Sequence, residues 1–264
     1  MSHLTVEKIS AGYGKRNVIE NVSFDLEEGE LLGIIGANGS GKTTLLKALC
    51  GILPHQGNCM LAGTVLEGLH ARQLARLVSY IPQRSGISID ISVLDVVLMG
   101  FNPRLGLLEQ PTRKMKDTAM QVLARVGLEG KEETNYIHLS EGQKQLCILA
   151  RTLVSDSKLL LLDEPESALD FHFRHQMLSL LRNWTVSQGR SAIVTLHDPT
   201  LALNFCDKLL LLADGGVLDM IEPRSDSLDK MEQRLSMVYG PVSLQRCHNR
   251  KGEGQIVMLR EDGV

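Results

Sequence analysis

Hydrophobic residues along this chain fall into two rhythms. Leu4 to Ile9 and Val22 to Leu26 alternate apolar with polar positions, as in strands with one buried face, and the second runs into the turn Glu27-Glu28-Gly29. Both suggest an antiparallel sheet near the N-terminus. Leu31 to Ile35, Leu159 to Leu162 and Ala192 to Thr195 are continuously apolar, as parallel strands covered on both faces are, and Lys208 to Leu212 is a fourth candidate. Helical periodicity separates these runs at Thr43 to Cys50, Glu141 to Leu153, Phe171 to Trp184 and Pro199 to Phe205. Strand and helix therefore alternate, which predicts an α/β fold around a parallel sheet.

That alternation breaks between residues 88 and 154. Val93 to Met99, Thr112 to Val126 and Glu141 to Leu153 give three successive helices with no strand between them, so this stretch is expected to be an inserted helical lobe. The expected organisation is one unit over 1–264. Residues 1–87 and 155–215 form the catalytic core with its antiparallel part, 88–154 the helical subdomain, and 216–264 a C-terminal extension. The extension predicts a hairpin after Gly215, a helix over Leu228 to Val238 and a strand over Gln255 to Leu259.

Composition alters this picture little. The 264 residues are 43% hydrophobic and 22% charged with a net charge of −3, ordinary values for a globular chain that offer nothing to attract nucleic acid. Five scattered cysteines without a C-x-x-C pair argue against a disulfide framework and for a reducing compartment. The first residues lack the basic and apolar regions of a signal peptide, and no apolar run approaches the ~18 residues of a membrane span. The chain is expected in the cytosol, or on a membrane through a partner.

The chemistry begins at Gly36-Ala37-Asn38-Gly39-Ser40-Gly41-Lys42-Thr43, with Thr44 following. This G-x-x-x-x-G-K-[ST] loop lies between an apolar strand and a helix, as a P-loop must. Its glycines let successive N–H groups turn inward, and the helix starting near Gly41 adds its positive end. Lys42 at ~4 Å from a phosphate contributes about 4 kcal/mol at an effective dielectric of ~20, too little alone for a nucleotide of charge near −4. A Mg²⁺ ion has to share that charge, held by the Thr43 hydroxyl and by Asp163, which ends the apolar run Leu159 to Leu162 at the sheet's carboxyl edge. Glu164, the next residue, is assigned to polarise the attacking water, although Asp163-Glu164-Pro165 alone can equally be a solvated turn after a strand. Ser140 followed by Gln143 reads as a capping box at the start of an apolar helix.

In order along the chain, these motifs resemble the ATP-binding subunit of an ABC transporter. The resemblance covers nearly the whole chain and includes Tyr80-Ile81-Pro82-Gln83, Leu139-Ser140-Glu141-Gly142-Gln143, Asp163-Glu164, Ser167-Ala168-Leu169-Asp170 and Thr195-Leu196-His197-Asp198. It implies a P-loop ATPase core with an antiparallel β part and a helical insert, with ATP and Mg²⁺ as ligands. Gln83 would touch Mg²⁺ and sense a membrane subunit, and His197 would hold the γ-phosphate. Tyr13 would stack on adenine, although an aromatic between Gly12 and Gly14 can equally pack locally. Ser140, Gly142 and Gln143 would bind the γ-phosphate of a second copy, and Asp170 would cross the same head-to-tail interface. Asp198 keeps its plainer reading as an N-cap before Pro199. His172 and His175 have no evident third ligand, so no metal is assigned to them.

Two departures from the family pattern stand out. Glu141 replaces a common glycine, where an outward side chain is expected, and Glu166 stands where threonine is frequent. The stretch Ser92 to Gly106, with Pro111, and Val238-Tyr239-Gly240 near the C-terminus look like importers of iron chelates, haem and cobalamin. The implied partners are a second ATPase subunit, polytopic permease subunits and, indirectly, a substrate-binding protein, at the cytoplasmic face of the membrane. An exporter subunit and a soluble non-transport ABC ATPase remain the alternatives, although the coiled-coil arm or tandem cassettes usual in the latter are not evident.

Overall fold

The computed structural model describes residues 2–83, 86–106, 108–167 and 169–261. Its centre is a six-stranded sheet assembled from strands far apart in sequence. These are β3 (Leu31–Ile35), β6 (Val78–Ile81), β7 (Leu159–Asp163), β8 (Ser191–Thr195), β9 (Lys208–Ala213) and β10 (Gly216–Ile221), in the order β10-β9-β3-β8-β7-β6. The five strands from β9 to β6 run parallel, and β10 turns back antiparallel on β9 as the expected hairpin.

Why the continuous apolar runs are strands follows from what each face meets. Leu160 and Leu162 enter one hydrophobic core while Leu159 and Leu161 enter another, and Ala192 and Val194 are likewise separated from Ile193. Successive side chains point to opposite faces, so a strand covered on both sides has no polar position to spare. One core lies beneath α1 (Lys42–Leu49) and a four-stranded antiparallel sheet, β2-β1-β4-β5. That sheet contains β1 (Leu4–Tyr13), β2 (Arg16–Leu26), β4 (His55–Leu61) and β5 (Thr64–Val65). The first two extend the expected strands into a long hairpin. The pattern did not reveal β4, because His55, Gly57 and Asn58 dilute its apolar face. Nor did it reveal α2 (Ala71–Leu77), which buries none of its residues, or the edge strand β6.

The other core lies beneath the helices α3 (Val93–Leu98), α4 (Arg113–Arg125), α5 (Glu141–Val154) and α6 (Phe171–Gln188), together with α7 (Pro199–Phe205) and α8 (Leu228–Tyr239). Ser92, Thr112, Ser140, Asp170, Asp198 and Ser227 each close a helix start by accepting a first-turn N–H. Gly100 lets the turn after α3 lie on α5, since a Cβ there would come within 2.0 Å of the Arg151 carbonyl oxygen. A second hairpin, β11 (Val242–His248) with β12 (Gly254–Arg260), follows α8, and only β12 was expected. Asn204 of α7 serves its edge as a neighbouring strand would. Its Nδ2 donates to the Ile256 carbonyl at 2.7 Å and its Oδ1 accepts the Ile256 N–H at 2.9 Å.

Candidate functional site

β3, β7 and β8 end at one edge of the sheet, and each delivers a piece of the site. After β3, the chain turns through Gly36, where a Cβ would lie 2.2 Å from the Leu212 carbonyl oxygen, so no larger residue fits. The loop closes on itself through Lys42, whose Nζ donates to the carbonyls of Gly36 at 2.8 Å and Ala37 at 3.1 Å. Burial lowers the Lys42 pKa, against the attraction of Glu164, Asp163 and Glu166. Ser40 Oγ is buried with no hydrogen-bond partner. An orphaned hydroxyl, a sealed ammonium and the N-terminus of α1 facing one cradle fit a polyphosphate. Ala37, Asn38, Gly39 and Ser40 line a cavity of about 530 Å³ together with Arg16, Asn17 and Asp214. Tyr13 is 53% exposed at the end of β1 and lines a neighbouring cleft that shares Asn17. Thr44 is buried within α1.

Asp163, at the end of β7, is 3% exposed and is held by three hydroxyls. Its Oδ1 accepts from Thr43 Oγ1 at 3.0 Å and Thr195 Oγ1 at 3.1 Å, and its Oδ2 accepts from Tyr80 at 3.2 Å. Burial, and then the Asp163 charge, push the Tyr80 phenol well above its ordinary range. Thr43 and Asp163 together offer the hard oxygen donors that suit Mg²⁺.

Glu164 follows in a left-handed conformation, φ 47°. Its N–H donates to Thr195 Oγ1 at 2.7 Å. Its Oε2 accepts from Gln83 Nε2 at 2.6 Å and lies 2.7 Å from His197 Nε2. Gln83, Glu164 and His197 thus converge, with the Gln83 amide donating to Glu164. Sequence reasoning missed Thr195 and Tyr80 as parts of this site. The signal for Thr195 was a polar residue ending an apolar strand, which the register sets opposite Asp163.

Ser140, Gly142 and Gln143 stand apart, at the start of α5. Ser140 Oγ accepts the Gln143 N–H at 3.3 Å and Gln143 Oε1 accepts the Ser140 N–H at 3.2 Å, so the capping box forms. Among the described residues no hydrogen bond joins these groups to the phosphate loop. Glu141 turns outward with a side chain 67% exposed and pairs with Lys144 at 2.7 Å. A Cβ on Gly142 would sit 3.2 Å from the Phe173 ring, so this helix start rests on α6. Asp170 caps α6 by accepting the Phe173 N–H at 2.9 Å, Ser167 N–H reaches the Glu164 carbonyl, and Ala168 lies outside the described residues. His175 packs between Phe171 and Phe205, and His172 lies edge-on to Phe173.

A sequence profile of the ABC transporter family matches residues 19–167. The hemin import ATP-binding protein HmuV of Vibrio parahaemolyticus is 32% identical over 255 residues, covering 94% of this chain and 95% of that protein. An uncharacterized ABC transporter ATP-binding protein, YvrA of Bacillus subtilis, is 35% identical over 260 residues, and the cobalamin import ATP-binding protein BtuD of Halobacterium salinarum is 34% identical over 211. The chain spans 58% and 52% of the lengths of these two relatives. Among solved structures, an inward-facing transporter described as of metal-chelate type superposes with a TM-score of 0.82 at 30% identity, over 99% of both chains. With a phosphate loop, a carboxylate-ended strand and a capped helix in the family order, the chain belongs to the ABC transporter family, among its ATP-binding subunits.

Proposed function

We propose that this chain binds and hydrolyses ATP to drive a membrane importer, with iron chelates, haem or cobalamin as the substrate class. The observation that carries the hydrolytic part is Glu164, whose carboxylate meets Gln83 and His197 beside Lys42 and the Thr43–Asp163 pair. The import part is supported by the hemin and cobalamin importers among the relatives. Both β- and γ-phosphates of ATP would lie against Lys42 and the loop N–H groups, with Tyr13 at the adenine end. Thr43 and Asp163 would hold Mg²⁺, which would supply charge neutralisation for those phosphates. Glu164 accepts the proton of the attacking water, and His197 orients Glu164 and contacts the γ-phosphate. Ser140, Gly142 and Gln143 serve the γ-phosphate on a second copy, with Asp170 at the same interface, so two chains enclose two nucleotides. We also propose the division of the chain into a core of 1–87 and 155–215, a helical lobe of 88–154 and an extension of 216–264. The dimer would dock on polytopic permease subunits at the cytoplasmic face, with a substrate-binding protein beyond.

The decisive variant is Glu164→Gln, which keeps the phosphate cradle and removes the proton acceptor. ATP affinity should persist while turnover stops and a closed dimer accumulates on a sizing column. Undiminished steady-state hydrolysis would remove Glu164 as the base. Mixing Ser140→Arg chains with Lys42→Ala chains tests the shared site, because one composite site then retains both intact halves. Co-purification with a polytopic subunit and a binding protein separates import from the other readings.

A further inference from the structure

Glu166 is a buried carboxylic acid that the mechanism above leaves without a task. It is 2% exposed, and its Oε2 has no hydrogen-bond partner. Its Oε1 accepts the main-chain N–H of His197 at 3.0 Å. The position of that N–H explains the contact. Beyond β8, the Leu196 N–H still reaches the Ile34 carbonyl of β3, whereas the next N–H, that of His197, has left the ladder. A buried N–H without an acceptor is costly, and Glu166 supplies one. Glu164 and Glu166, two residues apart in one turn, therefore grip the same histidine, the first by its imidazole and the second by its backbone.

We propose that Glu166 is a positioning residue of the hydrolytic site, its sealed carboxyl fixing the His197 main chain so that the imidazole meets Glu164. This rests on the assignment of Glu164 as the base. The ionisable groups facing Glu166 are Glu164 from its own loop, Lys42 from α1, His197 beyond β8 and Cys206 beyond α7. Burial raises its pKa, the Glu164 charge adds to this, and the His197 N–H and ring oppose it. Ionisation would put charge on a buried oxygen without a partner, beside Glu164, which is the cause of the upward shift.

Two variants of near-equal volume separate positioning from simple packing. Glu166→Gln keeps the Oε1 acceptor, and Glu166→Leu removes it. Amide hydrogen exchange at His197, read by NMR on the full chain, should quicken about tenfold or more in the leucine variant and stay at the wild-type rate in the glutamine variant. The kcat of Glu166→Leu for ATP should fall about tenfold with KM little changed, the signature of a misplaced catalytic group rather than a lost binding contact. Glu166→Gln, which keeps the acceptor for the His197 N–H, should keep kcat near the wild-type value. Wild-type exchange at His197 in Glu166→Leu, or a glutamine variant as impaired as the leucine one, overturns the proposal. If Glu166→Leu fails to fold, quickened exchange at His197 or a tenfold lower kcat in Glu166→Gln overturns it alone. An active Glu164→Gln enzyme would sink the base assignment and leave the exchange result standing.

Discussion

Replacing Thr195 by valine tests how the site is held together, because the two side chains share a shape and differ by one hydroxyl. Thr195 is fully buried, and its Oγ1 donates to Asp163 at 3.1 Å while accepting the Glu164 N–H at 2.7 Å. In the valine variant the Glu164 N–H loses its acceptor, at about 1–3 kcal/mol, and Asp163 loses a hydrogen bond to a charged group, at about 1.5–3 kcal/mol. Asp163 keeps Thr43 and Tyr80, so the combined loss should be about 3 kcal/mol rather than the sum of the upper values. For a chain of this length that corresponds to a Tm lower by about 6–12 °C, read by calorimetry or by circular dichroism. Turnover should fall further than ATP binding, since the Thr195 bond also secures the left-handed backbone of Glu164. Thr195→Ser keeps the hydroxyl and should lose only about 1 kcal/mol for the missing methyl group. A Thr195→Val protein as stable as the wild type, or a serine variant equally damaged, would refute the reasoning.

Three other outcomes are expected. Tyr13→Ala should weaken ATP binding in a titration with fluorescent nucleotide and leave Tm unchanged, because the side chain is 53% exposed. In the native protein a thiol reagent should label Cys247 first, since Cys247 is exposed whereas burial pushes the thiols of Cys59 and Cys147 up to about 12. The pH dependence of stability should differ between wild type and Glu166→Gln. A carboxyl whose folded pKa is raised binds its proton more tightly in the native state, so wild-type stability relative to Glu166→Gln falls as pH rises from the ordinary carboxylate range through the raised value. Parallel urea-unfolding series at several pH values would check this, and a constant difference would contradict it.

How far the sequence could be read depended on where each residue's partners lie. Leu31 to Ile35 and Leu159 to Leu162 were legible as strands because two cores demand apolar side chains on both faces. Val78 to Ile81 was not, because an edge strand leaves Ser79 and Tyr80 half-buried and breaks the pattern. In the site, Lys42, Thr43 and Asp163 could be placed from a loop motif and a strand end, and the resemblance added Gln83 and His197. Thr195, Tyr80 and Glu166 owe their contacts to partners 32, 83 and 31 positions away, and local spacing holds no trace of those pairings. The expected strands at the N-terminus were too short for the opposite reason. Past Ile9 the alternation slips at irregularities in register, yet hairpin pairing carries on to Tyr13.

Asn204 decides where the chain can be altered for other purposes. By covering the edge of β12 at Ile256, it makes the last hairpin part of the same unit as α7, the helix that begins two residues after His197. A reporter fused beyond residue 261 would leave that edge capped. A chain cut before Ile256 would strip β11 of its partner and present an open strand, a template for self-association.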